Sequence, residues 1–323
     1  MEQTALAKAI EQEARSCGYD SCGIIPVDDM DGFKQYYRAR IRKVPPAGIF
    51  YKIAGDLTGI RRRFPWAKSV IICTFWLGRY RYPEQLKGRY GRAYLLGSQN
   101  DVCVEVHRQR RRFEAWLEEQ GLRWAGGDQY DPISIGPLRH AAVMAGLGIV
   151  RKNNFLYTEQ GSFVELRGYV IDRACELYHT TDLKPCSEHC NLCQQSCPTG
   201  ALKGPYTMNP LQCVGYCTTF GKGKRPPFVK DEAFDEWVCG CDACQDACPH
   251  NRRHDWSQGE DYPGLEELAD HLVPEQLLRE SDDFLATRVT NMMEKHLTPS
   301  DVKTLRICAR RSLNNRNNAA SQK

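Results

Sequence analysis

The sequence predicts an α+β chain in two parts with a helical tail. Three observations predict it. Ser69–Trp76 (SVIICTFW) is an almost unbroken β-branched and aromatic run, the pattern of a strand covered on both faces. Apolar residues at helical spacing precede and follow it, first at Leu6, Ile10 and Ala14. Two Cys-x-x-Cys-x-x-x-Cys-Pro runs stand downstream, Cys190–Pro198 and Cys241–Pro249. Residues 1–175 therefore read as an α/β domain of mixed strands and helices, 176–255 as a ferredoxin-like module, and 256–323 as a helical tail with a disordered end.

Residues 3–17 form a predicted helix stopped by Gly18. Cys22–Val27 reads as a buried strand, and Asp31–Lys43 as a second helix closed by Pro45 and Pro46. Ser98 or Asn100 caps a long helix reaching about Gln120, with Gly121 behind it. Pro137 opens a helix over Leu138–Ala145 that runs into a glycine turn, Gly146–Gly148. Phe155–Thr158 and Ser162–Ile171 alternate like paired strands about a turn at Gln160-Gly161. Beyond Asn251 the pattern is helical and polar, at Gly264–His271, Pro274–Arg279, Asp283–Lys295 and Ser300–Leu313. The terminal NNRNNAASQK is too polar to bury a face and reads as disordered.

At 323 residues the chain can bury a full core or two smaller ones. A net charge of +4 neither demands nor excludes an anionic partner. Of sixteen cysteines, eleven lie between Cys175 and Cys248; Cys17, Cys22, Cys73, Cys103 and Cys308 are scattered, which suits buried thiols in a reducing compartment. The N-terminus has neither a basic start nor an apolar stretch, so no signal peptide is expected. The longest apolar run, near Val70–Leu77, is too short for a bilayer, and a cytoplasmic protein away from membranes is expected.

The cysteine spacing is that of bacterial ferredoxins holding two [4Fe–4S] clusters, where the Cys before each Pro crosses to the other cluster. Two cubanes need eight thiolates. The runs supply six, Cys186 lies just upstream, and Cys213 sits in the linker. One cluster would take Cys186, Cys190, Cys193 and Cys248, the other Cys197, Cys213, Cys241 and Cys244. Cys217 and Cys239 compete for the linker slot, and His189 for that of Cys186, whose gap is one residue longer than usual. Zinc ribbons also use CxxC pairs, but they have no need of a Cys-Pro after each one.

Basic and aromatic residues interleave at Ile60–Trp66 and Arg79–Tyr94, as they would to follow a phosphate backbone and stack bases; a loop over a site or a solvated surface is the alternative.

AGLG at Ala145–Gly148, Lys152-Asn153, GSF at Gly161–Phe163, CxxCxxxCPTGAL at Cys190–Leu202, the linker Cys213 and GCDACQDACPHN at Gly240–Asn251 occur in one order. With these motifs the sequence resembles the epoxyqueuosine reductases, cobalamin-dependent iron–sulfur enzymes related to reductive dehalogenases. The resemblance spans about residues 130–255 and is looser at Phe64–Cys73. It implies a nitroreductase-like fold holding cobalamin over the N-terminal domain, with Gly148, Lys152, Asn153 and Ser162 at the cofactor, and two [4Fe–4S] clusters that relay single electrons to cobalt. It implies a low-potential donor of the flavodoxin or ferredoxin type, and removal of the epoxide oxygen of epoxyqueuosine at the wobble position of tRNA. A solvated loop is the alternative for Lys152 and Asn153.

Two departures stand out. The family's acid is an Asp upstream of AGLG, where this chain reads YDPISIGP. Counting back from AGLG places Pro132 there, beside Asp131; aligning on Pro137 places Ser134. Asp131 is the candidate proton donor, with a turn before proline as the alternative. The family's Gly-Lys pair is Arg151-Lys152 here. A small-molecule reductase of the dehalogenase kind, a corrinoid activator, or a ferredoxin-like carrier with no substrate are the competing functions.

Overall fold

The computed structural model describes residues 2–53, 57–96, 105–127, 135–293 and 296–321. They divide into two compact units, Met1–Trp76 with Glu105–Glu188, and Leu77–Val104 with His189–Lys323. The division differs from one at residue 175: Leu77–Val104 joins the second unit, and the C-terminal helices belong to it rather than forming a separate tail. Paired backbone explains the first point, since Tyr80 bridges to Glu260 and Tyr90 to Cys239.

The first unit is built on an antiparallel sheet of strands β1 (Ser21–Pro26), β2 (Ser69–Trp76), β3 (Trp124–Gly127) and β6 (Val164–Ile171), in the order β1-β2-β6-β3. Between β3 and β6 come two short strands, β4 (Ile149–Val150) and β5 (Leu156–Tyr157), paired with each other. The predicted pairing of Phe155–Thr158 with Ser162–Ile171 reduces to a bridge between Thr158 and Gly161; Leu156 and Tyr157 pair with Val150 and Ile149 instead.

Strand β2 is buried nearly end to end, as its unbroken apolar sequence requires. Side chains alternate across a strand. Val70 and Ile72 join Leu138, Ala141 and Ala142 of the helix Leu138–Met144 in one core. On β6, Tyr169 meets Phe113 of the helix Glu105–Glu119, ring centroids 5.4 Å apart, and its hydroxyl lies 3.3 Å from that of Tyr19. The helices Gln3–Ser16 and Phe33–Lys43 follow their predicted spans closely. The caps expected at Ser98 or Asn100 lie outside the described residues.

AGLG is explained by backbone proximity. Gly146 has φ +75°, and a Cβ there would lie 1.8 Å from the His179 carbonyl oxygen. A Cβ on Gly148 would lie 2.2 Å from the Tyr157 carbonyl oxygen. Backbone cannot yield as a side chain does, so Gly148→Ala is expected to cost about 1–3 kcal/mol. Thermal unfolding of the anaerobic protein checks this, and an unchanged Tm would contradict it.

In the second unit the tyrosines of Arg79–Tyr94 serve packing. Tyr80, Tyr82 and Tyr90 are buried, and the Tyr90 hydroxyl donates to the Leu272 carbonyl at 2.7 Å. Base stacking by these three rings is therefore ruled out by their burial. Arg81 pairs with Asp261, Lys87 with Glu84 and Arg89 with Glu236. Arg92 is buried, with Nη1 donating to Asp242 at 2.9 Å and to Asp246 at 2.8 Å.

The chain's end is helical to Ser321 rather than disordered. The helix Val302–Ser321 is held by polar contacts that a hydropathy reading misses: Asn315 Nδ2 donates to the Asp231 and Asp235 carbonyls, each at 2.8 Å, and Ser312 Oγ to the Glu236 carbonyl at 2.9 Å. Among the described residues no helix is long and apolar enough to cross a membrane.

Candidate iron–sulfur and cofactor site

The middle cysteine of each run sits on a short helical turn. Cys193 lies in Leu192–Gln195 and Cys244 in Ala243–Asp246, with Pro198 and Pro249 beyond them. A proline there ends each turn after its third cysteine. Cys213 follows the turn Pro210–Gln212 and precedes Val214–Thr218.

Three of these thiols, Cys213, Cys241 and Cys244, are raised by burial and by the charges of neighbouring cysteines. Burial pushes the Cys244 thiol well up, and the charges of Cys213 and Cys197 add to it. Burial likewise raises Cys241, with Cys213 and Cys244 contributing, and raises Cys213, with Cys197 contributing. The backbone N–H groups of Gly215 and Tyr216 oppose the rise at Cys213 by hydrogen bonding to its sulfur. Cys197, Cys213, Cys241 and Cys244 are thus neighbours, each partly buried, a donor set suited to soft iron. Among the described residues no three His, Cys, Asp or Glu side chains converge tightly enough for a single ion.

The rival cysteines are packed as apolar groups. Cys217 belongs to the core of Val214, Val229, Phe234 and Trp237 and directs its thiol at the Leu211 carbonyl, 3.6 Å away. Cys239 is fully buried, with its thiol raised by desolvation and by Cys308. Cys190, Cys193 and Cys248 lie in the second unit, and Cys186 in the first.

Lys152 and Asn153 are not a solvated loop. They occupy the turn between β4 and β5, where Arg151, Lys152, Asn153 and Asn154 are all buried. The Arg151 N–H donates to the Phe155 carbonyl at 3.1 Å and the Asn154 N–H to the Arg151 carbonyl at 2.8 Å, with Asn154 at φ 68°. A buried turn of four polar residues is unusual, because loops ordinarily meet water. Lys152 Nζ donates to the Ser187 and Glu188 carbonyls at 2.7 and 2.8 Å, and Asn153 Nδ2 to the Tyr157 hydroxyl at 2.9 Å. Ser162 is buried just before β6. Asp131, Pro132 and Ser134 lie outside the described residues.

Arg151, a departure from the resembled motif, carries no role in the sequence reading. Its guanidinium lies over the Tyr157 ring, 5.1 Å from the centroid, and Nη1 points at Cys186 Sγ, 3.8 Å away. Its Nε and Nη2, and Asn154 Nδ2, are buried donors without a hydrogen-bond partner. Three such donors on one turn fit an acceptor-rich group beside it. The signal in sequence was a large cation where the resembled family has glycine.

Residues 186–251 match the family model of the 4Fe-4S double cluster binding domain. The chain is 29% identical over 224 residues to the epoxyqueuosine reductase of a Synechocystis species, covering 67% of this chain and 73% of that one. It is 30% identical over 193 residues to that of Cellulophaga algicola, covering 58% and 59%. A crystal structure of epoxyqueuosine reductase with an epoxyqueuosine-modified tRNA stem loop superposes with TM-score 0.69 at 21% identity, over 97% of this chain and 82% of that one. The Streptococcus thermophilus enzyme gives TM-score 0.69 at 19% identity, over 95% and 80%. With its iron–sulfur segment and its mixed helix-and-sheet fold, the chain is an oxidoreductase similar to the epoxyqueuosine reductases.

Proposed function

We propose that this protein reduces epoxyqueuosine to queuosine in tRNA, in the cytoplasm, drawing electrons from a flavodoxin- or ferredoxin-type donor. The observation that carries the reading is the cysteine segment 186–251, in a chain similar to the epoxyqueuosine reductases. Cys197, Cys213, Cys241 and Cys244 hold one [4Fe–4S] cluster, and Cys186, Cys190, Cys193 and Cys248 the other. The nitroreductase-like domain corresponds to the first unit, residues 1–76 with 105–188, and the ferredoxin-like module lies in the second.

Removing an epoxide oxygen consumes two electrons and two protons and releases water. Clusters exchange electrons singly, so a corrinoid, when bound, supplies the centre at which two electrons are delivered together. Gly148 keeps the backbone close at its border. Lys152 and Asn153, whose polar heads are engaged within the chain, shape that border rather than reaching across it. Asp131 supplies a proton.

Protein purified anaerobically and supplied with cobalamin should convert an epoxyqueuosine-containing anticodon stem-loop to queuosine, seen as loss of one oxygen by mass spectrometry. Asp131→Asn should abolish conversion and leave the iron content unchanged. The altered segment YDPISIGP favours a second reading, a small-molecule reductase. Corrinoid binding without any stem-loop conversion would select it, and absence of corrinoid affinity would exclude both.

A further inference from the structure

We propose that Arg151 tunes the iron–sulfur cluster ligated by Cys186, holding a positive charge and hydrogen-bond donors against its sulfur and raising its reduction potential. The inference rests on the iron–sulfur reading above and extends it to a residue that has no counterpart in the resembled motif.

Arg151 is 2% exposed, and an arginine stays charged wherever it is placed. Two of its nitrogens have no hydrogen-bond partner. A buried donor left unmatched loses its hydrogen bonds to water without replacement, so this arrangement is costly unless an acceptor is added. The third nitrogen shows where the acceptor belongs: Nη1 lies 3.8 Å from Cys186 Sγ. Cys186 is the first residue of the double-cluster match. A thiolate there, with the sulfides of its cluster, is anionic and accepts hydrogen bonds.

The adjacent Lys152 divides the task differently. Its ammonium grips the Ser187 and Glu188 carbonyls, the two residues that follow Cys186. Lys152 therefore anchors the segment while Arg151 faces the sulfur. A nearby cation and donors to sulfur favour the reduced, more negative cluster, which is the direction of a higher potential.

The test is a redox titration followed by electron paramagnetic resonance on full-length protein with reconstituted clusters, as wild type, Arg151→Met and Arg151→Lys. In the Met variant one of the two waves should fall, the ratio of reduced to oxidised cluster at fixed poise dropping about tenfold, which is 59 mV for a one-electron couple. The other wave should stay in place, and the Lys variant, which keeps the charge and loses the planar fork, should fall less. Waves that do not move, or that move together, would overturn the proposal. If the Met variant holds no cluster, wild type carrying nitrogen-15 arginine should show a hyperfine coupling to the reduced cluster that Arg151→Lys removes; no coupling, or one that persists, is equally fatal. Wild-type protein that takes up no iron would defeat the iron–sulfur reading itself, an outcome distinct from unshifted waves.

Discussion

Replacing Cys213 by alanine is expected to leave anaerobically reconstituted protein with about half its iron, roughly four atoms per chain instead of eight, and to abolish turnover. Cys213 stands outside both repeated runs, and Cys217 and Cys239 compete for its slot. Its position supports the role: its sulfur receives the Gly215 and Tyr216 N–H groups and lies among Cys197, Cys241 and Cys244. Donors aimed at a sulfur stabilise it as a thiolate, the form that binds iron. Cys217→Ala and Cys239→Ala are the controls. Both thiols are packed in apolar surroundings, so each substitution should trim stability modestly and leave iron at the wild-type level. Iron and labile-sulfide analysis decides. Loss of iron in Cys217→Ala, with retention in Cys213→Ala, would reverse the assignment.

Arg92→Met is expected to destabilise the second unit by about 3–5 kcal/mol, the cost of stripping one partner from a buried ion pair. The Asp242 side chain is 2% exposed and that of Arg92 8%. Burial pushes the Asp242 carboxyl up to about 6, and Arg92 pulls against that rise. The same carboxylate accepts the Arg92 backbone N–H at 2.8 Å, while the guanidinium lies over the Trp256 ring, 4.6 Å from its centroid. Without the cation, Asp242 must either remain charged in a dry place or bind a proton. Adding Asp242→Asn to Arg92→Met removes that charge and should recover most of the loss. Equilibrium urea unfolding, read by tryptophan fluorescence, measures both, and a single-variant loss under about 1 kcal/mol would contradict the argument. Asp242 lies between Cys241 and Cys244, so iron retention is expected to weaken alongside.

What was legible in the sequence follows from how local each signal is. Strand β2 was read to the residue because its side chains on both faces are apolar. The helix Pro274–Arg279 was read equally well from its opening proline and its spacing. The cysteine runs were legible because cluster chemistry fixes spacing along the chain. Features that the sequence left open between alternatives depend on distant partners. The tyrosines of Arg79–Tyr94 carry the pattern of a nucleic-acid surface, yet their neighbours come from residues well over a hundred positions away, such as Leu272 for Tyr90. The turn at Arg151–Asn154 looks solvated because every residue in it is polar, and only the fold buries it. Strand β3, Trp124–Gly127, escaped notice because two of its four residues are glycines, one pressed against the Gly168 carbonyl.

The latch between the last helix and the loop before Cys239 has a practical corollary. Arg311 Nε donates to Asp231 at 2.8 Å, and Ser312 and Asn315 bind the carbonyls of Glu236, Asp231 and Asp235. A premature stop near residue 310 would therefore do more than shorten the polypeptide. It would unpin the stretch that delivers Cys241 to its station, so damage at the extreme end should surface first as bleached brown colour.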